Sequence, residues 1–486
     1  MKLKFSIQYG TQWGENLYVR ITYRSNDGTE KSSRLMMLTA DGWHWELEVS
    51  ALESRHHPIS SFSYYYQVED AEERVLRREW TVIPRCYYFD SSKNYVLADQ
   101  WREIPLQYHL YTNAYLTTTQ RVRDEEVEAL RVPLYRKTIL FRVSAPQLLK
   151  GQSLAVIGNH PALGSWNTAR YLKMEYIGRY EWLLSVNVDA VFLPIEYKYV
   201  VIDDGTHALL NWEEGDNRTT EGMLPPDQTQ IPDGTVLVAY GESLRLKEQM
   251  WRAAGVVVPV FSLRSEHSYG VGDFGDLRRM VDWVVATGMK AIQLLPVNDT
   301  TASHSWSDSY PYNTVSVFAL HPIYLNIEQM GRLTAVQKKK YEATKEEFNK
   351  KKIADYQVVY DEKMKYYQAI YKAEKDAVFS SKEFKLFFEK NKEWLIPYAV
   401  FSYLRDKNGT PHFYDWKRYS RFSEKDMNKL SAPDSKDYDK VAFHYFLQFH
   451  LDKQLSDAVN YCHEKGVALK GDIPIGISPD SVDAWT

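Results

Sequence analysis

Two cysteines in 486 residues, Cys86 and Cys462, are too few and too far apart in the chain to build a disulfide framework. Long hydrophobic runs are missing too. No stretch approaches the roughly 18 uncharged apolar residues that a membrane span needs. There is no charge excess of one sign: 60 Lys and Arg against 64 Asp and Glu leave a formal net charge of -4, without the basic surface that nucleic acid requires. The opening MKLKFSIQYGTQW lacks the basic-then-apolar build of a signal peptide, so a cytoplasmic location is expected. The thirteen histidines show no metal-ligand spacing. The glycines of GVGDFG (270–275) follow a long loop instead of a nucleotide-binding strand. Neither a metal nor a cofactor is therefore expected.

Aromatic residues are plentiful: 36 Tyr, 19 Phe and 14 Trp. Flat amphipathic rings with a polar handle suit ring-shaped, hydroxylated partners such as sugars, and they suit protein interfaces equally. A length of 486 residues implies more than one domain.

The stretch Val256–Asn326 organises the second half. Two apolar runs, Val256–Val260 and Ala291–Val297, flank a helical pattern of Phe274, Leu277, Met280, Val281, Val284 and Val285, with Gly288 as the break. That order is a parallel βαβ unit, each strand running into a long polar loop. A charged segment from Gln337 to about Ala377 reads as one or two amphipathic helices. Pro397 is expected to divide the next helical pattern, ending one helix near Leu395 and starting another. A further helix is expected over Val441–His463, then Gly466 and a strand leading into KGDIPIGI (470–477).

Residues 1–250 alternate with period two and carry turn signals, the pattern of β-sandwiches. They contain an internal duplication. Trp43-His44-Trp45-Glu46-Leu47 answers Tyr180-Glu181-Trp182-Leu183-Leu184, and Tyr64-Tyr65-Tyr66-Gln67-Val68 answers Tyr197-Lys198-Tyr199-Val200-Val201. The expected division is a first sandwich at 1–115, a linker at 116–136, a second sandwich at 137–250 and a barrel-like region at 251–486, with the charged helical insert at about 333–380. In the second copy, Trp166 and Trp212 sit among turn and polar residues. They could stack on sugar rings beside Lys198, Glu213 and Asn217.

The motifs LGSW (163–166), YKYV (197–200) and NWEEGDNR (211–218) resemble the starch-binding modules of carbohydrate-binding module family 20. The resemblance implies a site for helical α-glucan at Trp166, Lys198, Trp212 and Asn217, with Glu213 alongside. The first copy resembles a drifted version, with Trp80 as its aromatic and no LGxW turn. SLRSEHSYGVGDFGDL (262–277), LLPVNDT (294–300), SYPYNTVSVFALHPIYLN (309–326) and KGDIPIGISPDSVDAW (470–485) resemble the amylomaltases of glycoside hydrolase family 77, in particular their disproportionating enzyme 2 subgroup. This implies a (β/α)8 barrel and 4-α-glucanotransfer between α-1,4-glucans such as maltose, glycogen or starch-like polymers by a retaining double displacement. Tyr312 and Asp472 match donor-subsite residues, and Asp308 and His321 are further candidates. The family's nucleophile and acid/base motifs do not occur up to Thr486, and only three barrel strands are legible. The chain is therefore expected to be the N-terminal half of such an enzyme, with residues 251–486 unable to fold well alone. The other reading is a catalytically silent α-glucan-binding protein. Its partners are in either case α-glucan polymers and maltooligosaccharides, and the sequence leaves the oligomeric state open.

Overall fold

The structure, a computed structural model, describes residues 2–50, 58–119, 128–247 and 251–486. Part of the expected linker, residues 120–127, lies outside the described residues. The chain forms two compact units, residues 1–112 with 121–250, and residues 113–120 with 251–486.

The first unit holds eighteen strands among its described residues. The first nine are β1 (Lys2–Gln8), β2 (Asn16–Ser25), β3 (Glu30–Met36), β4 (Leu38–Thr39), β5 (His44–Ser50), β6 (Ile59–Glu69), β7 (Val75–Arg78), β8 (Arg85–Tyr88) and β9 (Asn94–Gln100). The others are β10 (Lys137–Ser144), β11 (Gln152–Gly158), β12 (Leu172–Lys173), β13 (Glu175–Tyr176), β14 (Glu181–Asn187), β15 (Glu196–Asp203), β16 (Leu209–Trp212), β17 (Arg218–Thr219) and β18 (Thr235–Ser243). Period-two alternation drives these strands: in β1, Leu3, Phe5 and Ile7 enter the core while Lys2 points out.

The duplication extends to the pairing pattern. β1 pairs antiparallel with β5 and parallel with β9, as β10 does with β14 and β18. β6 pairs with β2, β7 and β8, as β15 does with β11, β16 and β17. Each copy is thus a sandwich-like pair of layers, one mixed and one antiparallel, and the parallel pairing of β9 with β18 fuses the mixed layer of each into a single eight-stranded sheet.

Buried charge reinforces that seam. Arg142 of β10 donates from Nε to Glu181 at 2.6 Å, and its Nη groups donate to the Cys86 and Pro84 carbonyls of the first copy at 2.7 and 2.8 Å. Arg85, Arg102 and Arg142 all approach the Tyr240 ring, at 5.5, 5.7 and 6.0 Å from its centre. An unpartnered buried charge is costly, so breaking one pair is far worse than never building it. Arg142→Met is expected to lower stability by about 3–5 kcal/mol, with partial recovery in Arg142→Met/Glu181→Met. Urea unfolding followed by intrinsic fluorescence checks this; equal losses in both variants would contradict it.

The second unit begins with α1 (Asn113–Thr118), which straddles the expected boundary between the first sandwich (1–115) and the linker (116–136). It continues with β19 (Gly255–Val258), α2 (Phe274–Ala286), β20 (Ala291–Leu294), α3 (Ala335–Lys350), α4 (Tyr356–Ser380), α5 (Lys382–Asn408), α6 (Glu424–Ser431), α7 (Tyr438–Glu464), β21 (Ala468–Lys470) and α8 (Val482–Trp485). α2 starts at an Asp273–Asp276 capping box and is followed by Gly288 at φ +74°. The three strands are parallel in the order β19-β20-β21. One face, with Ile292 and Leu294, packs in the core formed by Leu277, Val281 and Val284 of α2 and Leu451 and Ala458 of α7. On the other face Val257 is paired with Gln293, and Gln293 with Lys470. With β19 and β21 as edges, the arrangement is consistent with an open, incomplete barrel-like fold.

The charged segment folds as α3 and α4, and α7 spans the expected helix. Pro397 does not divide the helical pattern as expected. It lies inside a continuous α5. Proline in a helix interior costs about 3 kcal/mol. Burial of Leu395, Tyr398, Val400, Phe401 and Leu404 around it outweighs that cost.

α7 also buries His444 and His450, and desolvation pulls both imidazoles down to about 4 from 6.5. A histidine depressed in the folded state contributes stability that is complete above its unfolded pKa and is lost as pH falls toward the folded one. Thermal melts should therefore show destabilisation between pH 6.5 and 4. His450→Phe should flatten part of that slope; an unchanged slope would contradict the assignment.

Candidate functional site

In the second copy, the outer face of the β11–β15–β16 layer carries an apolar strip of Ala155, Ile157, Val200 and Ile202, with Trp166, Tyr171 and Leu209 packed on it. The LGSW turn brings Trp166 there. Gly164 takes φ +81°, and an added Cβ would lie 2.3 Å from the Arg170 carbonyl oxygen. Ser165 and Trp166 themselves adopt positive φ, and the Trp166 amide donates to the Gly158 carbonyl at 2.8 Å. Trp212 closes β16 opposite Val200 and is 39% exposed. The two indoles stand 6.3 Å apart at 43°. Lys198 Nζ donates to the Glu213 and Gly215 carbonyls at 3.1 and 2.5 Å, and Asn217 Nδ2 donates to Glu196 at 2.8 Å. The residues singled out by sequence thus share one face, with a single exception in orientation.

Glu213 turns inward. Only 2% exposed, its carboxylate accepts the Tyr199 amide at 3.0 Å, Arg218 Nε at 3.0 Å and Arg245 Nε at 3.3 Å. Arg218 also donates to the Gly241 and Ser243 carbonyls, anchoring the 213–218 turn to β18. The arginine of NWEEGDNR was the available signal for this clamp, but its role needs the fold to be seen.

The same clamp recurs in the first copy. Glu79 accepts the Tyr66 amide at 3.0 Å and pairs with Arg85. This equivalence corrects the expected counterpart of Trp212. The residue before the clamp carboxylate is Arg78, opposite Gln67, whereas Trp80 stands edge-on to Tyr111 with ring centres 5.1 Å apart.

In the second unit, loops after β20 and β21 meet. Tyr312 OH donates to Asp472 Oδ2 at 2.9 Å, and this bond to a carboxylate raises the phenol's pKa. The Tyr310 ring centre lies 5.7 Å from that of Tyr312. Asp308 is nearly buried and accepts the Ser303 amide and hydroxyl, holding its own loop. With Trp306, His321 and Tyr356 it lines a cavity of about 270 Å³. His321 is buried between the Ile323 amide and the Tyr356 hydroxyl, and desolvation lowers its pKa. Lys363 of α4, wholly buried, donates to the Ile323 and Leu325 carbonyls at 2.6 and 3.0 Å. Its place inside a solvated-looking charged segment hid it from the sequence. Asp299, also unremarked in the sequence, accepts the Tyr398 hydroxyl at 2.7 Å. No helix among the described residues is long and apolar enough to cross a membrane.

Removing the Glu213 carboxylate strands the Tyr199 amide and two arginines. Glu213→Ala is expected to cost about 3–5 kcal/mol in calorimetry, whereas Trp212→Ala should cost no more than about 1 kcal/mol. The reverse order would overturn this division of labour.

Comparison with known proteins finds two matched segments. Residues 137–226 match the family model described as starch binding domain, and residues 258–486 match that described as 4-alpha-glucanotransferase. A 4-alpha-glucanotransferase DPE2 of Oryza sativa subsp. japonica is 34% identical over 503 residues, covering 99% of this chain and 51% of that protein. A 4-alpha-glucanotransferase of Chlamydia caviae is 32% identical over 251 residues, covering 49% of this chain and 45% of that one. An amylomaltase structure from Streptococcus agalactiae, in complex with acarbose, aligns at TM-score 0.41 and 22% identity over 49% of this chain and 46% of that chain, a likeness too low to bear on the fold. The chain spans about half the length of the curated relatives it matches. The chain thus carries a segment similar to starch binding domains, followed by a segment similar to part of the 4-alpha-glucanotransferases.

Proposed function

We propose that the protein is a 4-α-glucanotransferase of α-1,4-glucans, working in the cytoplasm, and that this chain holds substrate. Trp166 and Trp212 stack on successive glucose rings of a polymer, while Lys198 and Asn217 offer hydrogen bonds at the rim. Glu213 acts from beneath by fixing the turn that carries Trp212. The Tyr312–Asp472 pair belongs to the donor subsite, where the phenol gives a flat surface for a sugar ring and the carboxylate receives hydroxyl protons. Asp308 and His321 keep the neighbouring loop in shape.

The chemistry of this reading is a retaining transfer within an eight-stranded barrel. One carboxylate attacks the anomeric carbon, and a second, roughly 5–5.5 Å away, first donates a proton to the leaving sugar and then takes one from the incoming hydroxyl. No Asp or Glu of residues 1–486 is assigned either role. The observation that carries the proposal is the meeting of Tyr312 with Asp472, contributed by loops 160 residues apart. The second reading is an α-glucan-binding protein without turnover, which the paired indoles on one face support by themselves.

Incubation of the whole protein with maltose and glycogen is expected to release glucose and lengthen glycogen outer chains. Tyr312→Phe should slow release at unchanged glycogen affinity, and Trp212→Ala should weaken glycogen binding by tenfold or more. Glycogen binding with no glucose release would establish the second reading. Binding that ignores both Trp212→Ala and Trp166→Ala would sink the glucan-platform assignment.

A further inference from the structure

The first copy presents, on the same outer face and over the same clamp, a different set of side chains. Where the second copy has the apolar strip and Trp212, the β3–β2–β6–β7 layer has Tyr18, Arg20, Arg34, Tyr65 and Arg78. Cross-strand register puts Arg20 opposite Tyr65 on one side and opposite Arg34 on the other. Arg78 lies over the Tyr65 ring, 5.4 Å from its centre, and Arg34 over Tyr18 at 4.2 Å. Tyr65 therefore has Arg78 over its ring and Arg20 as its cross-strand neighbour on the same face.

Their charges are not balanced alike. Arg34 is held by Glu69 and Glu73. Arg20 and Arg78 have no hydrogen-bonded carboxylate among the described residues, although Arg20 sits near enough to Glu69 to help hold its carboxyl ionised. Like charges placed directly opposite across two strands are destabilising. Glu69, bonded to Arg34 and close to Arg20, offsets that repulsion. Two planar, permanently charged forks on one face beside a partly buried tyrosine suit a dianion attached to something flat.

We propose that this face of the first copy binds phosphate monoesters carried on an α-glucan chain, with Arg20 and Arg78 gripping the phosphate and Tyr65 facing the adjoining sugar. The glucan part rests on the function proposed above, and the phosphate part on the arginines alone. The neutral-polymer face of the second copy and this anionic-polymer face lie on separate five-stranded sheets, whose partner layers are joined in the one eight-stranded sheet. Together they would select phosphorylated regions of a mixed polymer.

The test uses the full chain carrying Trp212→Ala, so that the neutral platform is silenced. Its binding to a phosphate-bearing amylopectin is compared with that to the same polymer after phosphatase treatment, by affinity electrophoresis. At least tenfold tighter binding of the phosphorylated polymer is expected, weakening with salt and abolished by adding Arg20→Gln/Arg78→Gln. Melting of that variant should be unchanged or raised. Equal binding of the two polymers would overturn the proposal. So would a preference that survives the arginine changes, competition by polyglutamate as effective as that by the phosphorylated polymer, or a fall of several degrees in melting temperature. Failure of the glucan reading shows separately, in the parent chain, as glycogen binding indifferent to Trp212→Ala.

Discussion

A buried carboxylate that accepts a strand amide and an arginine at once is the constraint on which the first 250 residues turn. Glu213 does this for Tyr199 and Arg218, and Glu79 does it for Tyr66 and Arg85. Either carboxylate left unpaired in the interior would cost more than the local packing returns, so the turn that supplies it has one admissible position. That position sets the register of the short strand before it, and in a strand register decides which face each side chain takes. Residue 212 or 78 then points outward by necessity. What the outward residue is, indole or guanidinium, is free to vary without disturbing the core.

The same logic explains which parts were legible in the sequence. Alternation and turn residues located most long strands, and the tryptophans betrayed themselves by sitting among glycines and polar residues. Side-chain direction was harder. Glu213 lies beside Trp212 in sequence and so reads as part of one surface, yet a strand sends neighbours to opposite faces. Trp80 misled for the same reason, because matching aromatics by type ignored the carboxylate that fixes the register. Pro397 misled in another way: local backbone preference was read correctly and lost to burial of the residues around it. Strand β9 went unremarked, although its pairing with β18 makes one sheet of two copies. Pairing between distant strands leaves little trace in local pattern.

The second unit reaches its site by a different route. Parallel strands send their following loops to the same end of a sheet, so β20 and β21, adjacent in space though far apart in sequence, deliver Tyr312 and Asp472 to each other. Long helices fill the interval and also serve the site. α4 drives Lys363 into the interior to hold two carbonyls of the 321–326 segment, and Tyr367 adds a hydroxyl to the same backbone. Desolvation lowers the pKa of this buried amine, while Asp273 and Asp276 favour its charged form and the carbonyl acceptors replace its water. The loop behind Tyr312 is thus anchored by charge-assisted bonds and does not rely on apolar packing alone.

Duplication followed by divergence of a single face has an energetic rationale here. The two copies share a continuous sheet and a seam of three arginines around Tyr240, so neither can turn against the other without breaking buried pairs. Two modules on a flexible tether would lose much of the advantage of double engagement to the many relative positions they could adopt. A fused pair presents its two faces at a fixed spacing, and a second contact on the same polymer then costs little further ordering. Under that constraint a second face identical to the first would add strength only where the polymer's repeat matches the spacing. A face of different chemistry adds discrimination at any match, since each contact tests a separate property of the chain. The same clamp beneath both faces is what lets the outward residues differ while the strands keep their register.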